Sequence, residues 1–221
     1  MKKVFGKLPS GETAHLYTIT SGTITAAITD FGGNLVSLWV PDKDGNLADV
    51  VLGYDSPAEY LADDVFLGAP VGRNANRIGD ACFYLSGKHY FLFANNGKNN
   101  LHSGPDFYHH RMWDVVALSE SSITLHLYSP HGDQGFPGNA VIQITYRMDD
   151  QGGLHIVYDA TCDQDTVFKT KFSQSKYVIQ ISVEAFCKKI SLPLTPAVIH
   201  VSRNAYALRF FNSQIVCKSD H

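Results

Sequence analysis

His102 is the side chain in this sequence that is best suited to moving a proton. It follows an Asn-rich stretch and one apolar residue, Leu101, and it precedes Ser103-Gly104, where backbone can approach a ligand closely. A neutral imidazole near pH 7 can donate and accept protons, which suits acid–base chemistry at a hydroxyl group. The alternative is a loop histidine whose hydrogen bonds are satisfied within the protein.

A second polar cluster lies in the run Arg-Asn-Ala-Asn-Arg at 73–77, which is bracketed by Gly72 and Gly79. In this run the guanidinium of Arg77 beside the amide of Asn76 would form a dense array of donors for hydroxyl oxygens or a developing oxyanion. The alternative interpretation is that both side chains tie loop carbonyls together.

Three aromatic residues near these loops could supply an apolar face for a ring-shaped ligand: Phe107, Trp113 and Phe136. Aromatic residues make up 12% of the chain, so a position in the hydrophobic core is the alternative for each of them.

The sequence gives no reason to expect a metal or nucleotide site. The adjacent pair His109-His110 diverges on an extended chain and has no third ligand spaced nearby. The four cysteines are too far apart for a Cys-x-x-Cys motif, and we expect reduced thiols. Walker A, dinucleotide and Gly-x-Ser-x-Gly motifs are absent. We therefore expect neither a metal nor an organic cofactor.

Composition excludes several classes of partner. The 221 residues carry a net charge of −3, so there is no basic surface to attract nucleic acid or an anionic membrane. No apolar run approaches the length of a membrane span, and the first residues, Met-Lys-Lys-Val-Phe-Gly, lead into no signal-peptide core. These features predict a cytoplasmic protein, and they leave its oligomeric state open.

The elements that must position these residues are strands. Apolar residues alternate with period two in ten segments, which turn signals such as Ser21-Gly22 and Ser86-Gly87 separate. The segments are 14–20, 23–29, 34–40, 48–53, 80–85, 88–93, 111–118, 122–128, 140–147 and 154–160. Only 57–62 reads as a helical turn. This pattern predicts a mainly β fold, an antiparallel sandwich or barrel. The polar loops 66–79, 94–110 and 129–139 would hold the site.

The composition changes abruptly near residue 168. All 18 glycines lie before that point and none after it, although a β-rich fold uses glycine at turns and bulges. Residues 169–221 have a net charge of +6, whereas residues 1–168 have a net charge of −9. Two explanations remain open at this stage: a second small domain, or a tail read in a different frame.

Three motifs in order and register make residues 10–168 resemble the aldose 1-epimerase (galactose mutarotase) family. They are Leu-Gly-Ala-x-x-Gly-Arg-x-Ala-Asn-Arg-Ile at 67–78, Asn-x-Leu-His at 99–102 and Ser-x-x-Gly-Asp-Gln-Gly-Phe-Pro-Gly-Asn at 129–139. The resemblance implies the family's large antiparallel β-sandwich, the galactose mutarotase-like supersandwich, incomplete at the C-terminus. It also implies that the chain interconverts the α and β anomers of an aldohexose such as galactose or glucose.

The resemblance assigns roles only to matching positions. Asn76 and Arg77 would be the substrate-binding pair, and His102 would be the first active-site histidine, which contacts sugar and supports proton transfer. In the implied reaction an acid protonates the ring oxygen and a base removes the proton of the anomeric hydroxyl. The open aldehyde then rotates and closes again. Because proton transfers are the whole chemistry, no metal or organic cofactor is needed.

The sequence also departs from the family pattern. Ser103 stands where the family has glycine, Asn74 where it prefers an aromatic or aliphatic residue, and His131 where it has aspartate. After Phe168 the Asn-His-x-Tyr-Phe-Asn motif, which carries the second histidine, is replaced by Lys-Thr-Lys-Phe-Ser-Gln. The later aspartate and the glutamate base have no counterpart either.

These departures predict an organisation in two parts and a weakened activity. Residues 1–168 would form a partial mutarotase-like sandwich, and 169–221 a divergent, Gly-free basic tail that is either frameshifted or otherwise replaced. Two alternatives to a weakened epimerase remain: a catalytically inactive sugar-binding remnant, and a carbohydrate-binding β-sandwich module.

Overall fold

The computed structural model describes residues 1–174, 179–187, 192–193 and 197–200, and these residues form a β-rich fold. The strands are β1 (Lys2–Lys7), β2 (Thr13–Ser21), β3 (Ile24–Thr29), β4 (Leu35–Pro41), β5 (Leu47–Asp49), β6 (Ala69–Val71), β7 (Arg77–Ile78), β8 (Cys82–Leu85), β9 (Lys88–Phe91), β10 (Asn100–Leu101), β11 (Asp114–Leu118), β12 (Ser122–Ser129), β13 (Ala140–Met148), β14 (Gly153–Cys162), β15 (Thr166–Gln174), β16 (Ile179–Cys187), β17 (Leu192–Pro193) and β18 (Ala197–His200). A short helix, α1 (Pro57–Leu61), and 3₁₀ turns at Gly79–Ala81, Tyr108–His110 and Asp133–Gly135 connect them.

Two large antiparallel sheets form the body of the fold. One has the order β1-β2-β3-β4-β5, and the other has the order β11-β12-β13-β14, with β17 and β18 both pairing with β14. A three-stranded sheet, β6-β15-β16, and the small pairs β7-β10 and β8-β9 carry the connecting segments. Among the described residues, the pairings within these sheets are antiparallel.

The inner faces of the two large sheets share one hydrophobic core. The first sheet contributes Ile19, Ile28 and Leu35, each with no exposed surface, and the second contributes Ile123, Ile144 and Ile156, which are equally buried. Alternating residues on strands of this kind are expected to meet in the middle of a sandwich. The predicted class, a mainly β antiparallel sandwich, is confirmed.

Most of the predicted segments are strands. The run at 48–53 is an exception, because strand β5 ends at Asp49. Segment 57–62 contains α1. Ser56 caps the N-terminus of this helix: its Oγ accepts the Glu59 N–H at 3.4 Å and donates to Glu59 Oε2 at 2.7 Å. Strands β15 to β18 lie beyond the last predicted segment, and before it β1, β6, β7 and β10 were not predicted. The last three are two or three residues long, too short to show a period.

The change of composition at residue 168 lies inside a strand. Strand β15 pairs with β6, where Phe172 faces Pro70, and Lys169 forms a parallel bridge with Asn74. The first residues after 168 therefore lie beside the Arg-Asn-Ala-Asn-Arg segment. Most of the predicted tail, 169–221, lies outside the described residues. Within the described ranges, no helix is long and apolar enough to cross a membrane.

Candidate functional site

The two-stranded pair β7-β10 brings the two predicted site segments together. Leu101 faces Arg77 and Asn100 faces Ile78 in an antiparallel register. Asn76, which precedes β7, therefore lies opposite His102, which follows β10.

Two hydrogen bonds connect Asn76 and His102. The backbone N–H of His102 donates to the carbonyl oxygen of Asn76 at 3.0 Å, and the N–H of Asn76 donates to Nδ1 of the imidazole at 2.8 Å. Both residues have left-handed backbone, with φ of 68° at Asn76 and 55° at His102. Asparagine is among the residues that tolerate this conformation best.

The bond to Nδ1 sets the tautomer of His102. Because Nδ1 accepts a hydrogen bond from an amide N–H, the neutral ring must carry its own proton on Nε2. The ring is half-buried, and the ring of Phe66 meets it edge-on with centroids 4.8 Å apart. His102 is thus arranged to present an N–H donor in its neutral form.

Arg77 is exposed and lies directly beside Asn76. Its Nε donates to Oδ1 of Asn96 at 2.8 Å. A guanidinium has five N–H donors in a rigid fork, so the four on the two Nη atoms are not used by this bond. Arg77 and His102 therefore add donors at the same end of the β7-β10 pair.

The Asn-rich loop before His102 has a structural role. Asn95 binds the backbone of Leu101 in both directions, donating to its carbonyl at 2.9 Å and accepting its N–H at 2.7 Å. Asn100 is fully buried and donates to the carbonyls of Phe93 and Gly104. These bonds fix β10 and hence the position of His102.

A group of aromatic rings lies on one side of His102, and Phe66 is the member in contact with it. Phe66 contacts His102, Phe107 and His109, with ring centroids 4.8, 5.1 and 4.5 Å away. Of the three aromatic residues considered as a ligand platform, Phe107 lies in this group. Trp113 and Phe136 are buried in the interior of the protein.

His109 is buried at the base of this aromatic group. Only 1% of its surface is exposed, and its Nε2 has no hydrogen-bond partner among the described residues. Burial, followed by the neighbouring His110 and His102, lowers the pKa of His109 to about 2. His109 is therefore a neutral packing residue at any pH near 7.

Arg73, which the sequence did not single out, joins two of the motifs. Its guanidinium is completely buried and donates to the carbonyls of Pro137 at 2.8 Å and Gly138 at 3.1 Å, and to Ser129. It thereby holds loop 129–139 against segment 73–77. The only sequence signal for this role was the position of Arg73 between a buried strand and Ala75. A charged residue that is buried there needs hydrogen-bond partners.

Asp133 ties the same loop to the segment after His102. It forms a two-pronged ion pair with Arg111, with both N–O distances at 2.8 Å. Burial opposes ionisation of this carboxyl, but hydrogen bonds from Arg111 and Ser129 outweigh burial and lower its pKa. Gln134 adds two more ties, to the N–H of Arg73 and to the carbonyl of Asp106.

No group of three or more His, Cys, Asp or Glu side chains in the described part of the chain is arranged to hold a metal ion. Cys82 is a free thiol. At the β7-β10 end, Asn76 and Arg77 offer hydrogen-bond donors, and the imidazole of His102 is a group that can exchange a proton.

Known proteins share this arrangement of motifs and fold. The aldose 1-epimerase family model matches residues 15–172. The aldose 1-epimerase of Escherichia coli strain K12 is 35% identical over 157 residues, 71% of this chain and 45% of that protein. The galactose mutarotase of Sus scrofa is 39% identical over 166 residues, 75% of this chain and 48% of that protein. The chain thus spans about half the length of the curated relatives it matches.

Solved structures agree with these relatives. A GalM/aldose epimerase homologue from C. elegans superposes with a TM-score of 0.69 at 32% identity, covering 78% of this chain and 51% of that one. A galactose 1-epimerase from Lactobacillus acidophilus NCFM superposes with a TM-score of 0.68 at 22% identity, which shows the shared fold. On the strength of the family match, which covers well over half of the 221 residues, the chain belongs to the aldose 1-epimerase family.

Proposed function

We propose that this chain binds an aldohexose at the β7-β10 end and interconverts its α and β anomers with weakened activity. Asn76 and Arg77 would bind the sugar, and His102 would act on its oxygens. The observation that carries this proposal is the bond from the Asn76 N–H to Nδ1 of His102, at 2.8 Å. That bond leaves the ring proton of the neutral imidazole on Nε2, which makes Nε2 the N–H donor of His102.

Each residue has a defined task in the proposed reaction. The Nε2–H of His102 donates to a ring or hydroxyl oxygen of the sugar and stabilises negative charge as it develops there. The Nη donors of Arg77 hold hydroxyl oxygens and fix the orientation of the ring. The bond from Asn76 keeps the imidazole in one tautomer during turnover. In this scheme the side chains supply hydrogen bonds, water carries the proton from the anomeric hydroxyl to the ring oxygen, and no metal or organic cofactor is invoked.

The weakness of the activity is part of the proposal. The Asn-His-x-Tyr-Phe-Asn motif, which carries the second histidine of the family, is replaced after Phe168 by Lys-Thr-Lys-Phe-Ser-Gln. A positioned acid or base contributes on the order of 10²–10⁴-fold to a rate. Without the second histidine, the donors of Asn76, Arg77 and His102 would still bind sugar, so binding without turnover is the second candidate function. The exposed guanidinium of Arg77 favours this second candidate, because it can donate to the hydroxyl oxygens of a sugar without a catalytic partner.

Polarimetry on freshly dissolved α-galactose tests the proposal. We expect the protein to accelerate mutarotation slightly above the spontaneous rate, and His102→Ala to return the rate to that of buffer. His89→Ala is the control, because His89 is an exposed histidine that lies on strand β9, away from the β7-β10 pair. Equal acceleration by all three proteins would point to a contaminating mutarotase and contradict a role for His102.

A binding measurement separates the two candidates. Ligand-observed NMR with galactose should detect binding that His102→Ala weakens, even if no acceleration is found. Binding to polysaccharide but not to galactose would instead support a carbohydrate-binding module. No binding of either kind would contradict both candidates.

We further propose that residues 1–168 form a partial epimerase sandwich and that 169–221 are a divergent tail whose reading frame is shifted. The support is the loss of glycine and the reversal of charge at that point. Sequencing the gene across codon 168 should reveal the Asn-His-x-Tyr-Phe-Asn motif in another frame. An intact frame with no displaced motif would contradict the frameshift.

We also propose that the protein acts in the cytoplasm. The free thiol of Cys82 supports this, because free cysteines persist in a reducing compartment. Fractionation of cells that express a tagged chain is the direct test, and recovery outside the cytosolic fraction would contradict it.

A further inference from the structure

Ser103 is a completely buried serine that follows His102 in the chain. Its backbone is left-handed, with φ of 59°, a conformation that side chains other than glycine, asparagine and aspartate rarely adopt. A serine held there must gain something that glycine, which has no such restriction, would not provide.

The gain is a pair of hydrogen bonds to one residue. Oγ of Ser103 accepts the backbone N–H of Asn74 at 2.8 Å and donates to the carbonyl of Asn74 at 3.2 Å. A hydroxyl can do both at once because it has one donor and two acceptor positions.

These two bonds lie next to the two that join Asn76 and His102. Together with the two bonds between Asn76 and His102, they make four hydrogen bonds between residues 74–76 and residues 102–103. The Ser103 bonds hold the residue that follows His102. The bond from the backbone N–H of His102 holds the backbone of His102 itself. The alignment of Nδ1 with the Asn76 N–H therefore depends on both.

We propose that Ser103 is a positioning residue for His102, whose buried hydroxyl holds the two segments in the register that lets Asn76 bind Nδ1. The ring then keeps its proton on Nε2, the atom that faces the sugar in the proposed function. Only this last step rests on that function, since the register and the tautomer are properties of the protein without sugar.

Two variants separate the hydroxyl from the backbone conformation. Ser103→Ala removes Oγ and keeps the side-chain carbon, whereas Ser103→Gly also relieves the left-handed backbone. Ser119→Ala is the matched control, because Ser119 is an exposed serine whose Oγ makes a single bond, to the Ser122 carbonyl.

Amide hydrogen exchange and histidine ring ¹⁵N shifts on the full chain test the proposal. We expect exchange of the Asn76 amide, measured relative to the core amide of Ile144, to accelerate about tenfold in both Ser103 variants. The His102 ring shifts should move towards a mixture of tautomers in both, and Ser119→Ala should resemble the parent protein. The ratio to Ile144 removes any general loss of stability.

An unchanged exchange ratio together with unchanged ring shifts in both variants would overturn the proposal. A change in Ser103→Ala but not in Ser103→Gly would also overturn it, because backbone strain rather than the hydroxyl would then be responsible. No sugar is present in these measurements. Failure of the proposed function, judged by galactose binding, is therefore distinguishable from failure of this inference.

Discussion

Nη1 of Arg73 donates to the carbonyl oxygen of Pro137 at 2.8 Å across 64 residues of sequence. This bond belongs to a set that holds loop 129–139 on the segment that carries Asn76 and Arg77. The first and third motifs of the family are therefore connected by a side chain that has no exposed surface.

We expect Arg73→Lys to lower the free energy of unfolding by about 3 kcal/mol. A lysine ammonium cannot reproduce the planar fork, so buried carbonyls that Arg73 satisfies would lose their donors. Urea unfolding followed by fluorescence gives the measurement. The control is Arg147→Lys, at an exposed position on β13, and a similar loss in both variants would contradict the anchoring role.

Gly32→Ala should destabilise the protein by more than about 3 kcal/mol. Gly32 has φ of 79°, and a Cβ there would lie 2.2 Å from the carbonyl oxygen of His109, so both backbone strain and a clash are added. Gly22 is the matched control, with φ of 58° but nothing within 4 Å of such a Cβ. Gly22→Ala should cost only about 1 kcal/mol. Equal midpoints in urea would show that the contact with His109 is not tight.

The stability of the protein should fall between pH 6.5 and 4.5 because of His109. Its pKa is about 2 in the folded state and about 6.5 when unfolded, so below pH 6.5 only the unfolded chain takes up the proton. The folded state is therefore favoured above pH 6.5, and it loses about 1.4 kcal/mol per pH unit below that value.

His109→Phe should flatten this part of the stability curve, while burial of the neighbouring His110, whose pKa is also lowered, leaves a smaller slope. Urea titrations at half-unit intervals of pH give the slope. His89→Phe, at an exposed histidine, should keep the slope of the parent protein. A slope unchanged by His109→Phe would mean that His109 is not buried as described.

Arg77→Ala should weaken galactose binding about tenfold to a hundredfold without changing the fold. The loss corresponds to one or more hydrogen bonds from a charged donor. Because Arg77 is exposed and its Nε bond to Asn96 is a surface contact, the free energy of unfolding should change by no more than about 0.5 kcal/mol. Galactose titrations by ligand-observed NMR and a thermal melt measure the two effects. An unchanged affinity would remove Arg77 from the site.

Local sequence determined much of this protein. Alternation of apolar residues predicted β12 and β13 because the two faces of a strand repeat every two residues, a property that a short window contains. Segment 57–62 was predicted as a helical turn, and α1 lies within it. The order of three motifs, including His102, was enough to predict the family.

Tertiary structure decided which residues of these motifs contact each other. The strands β7 and β10 have two residues each and no period to detect, yet their pairing brings Asn76 to His102 across 26 residues. Whether an arginine is exposed, as Arg77 is, or buried, as Arg73 is, depends on what the rest of the chain places around it. Residue type and spacing do not predict contacts between residues so far apart in the sequence, because these contacts form only when separate segments pack together.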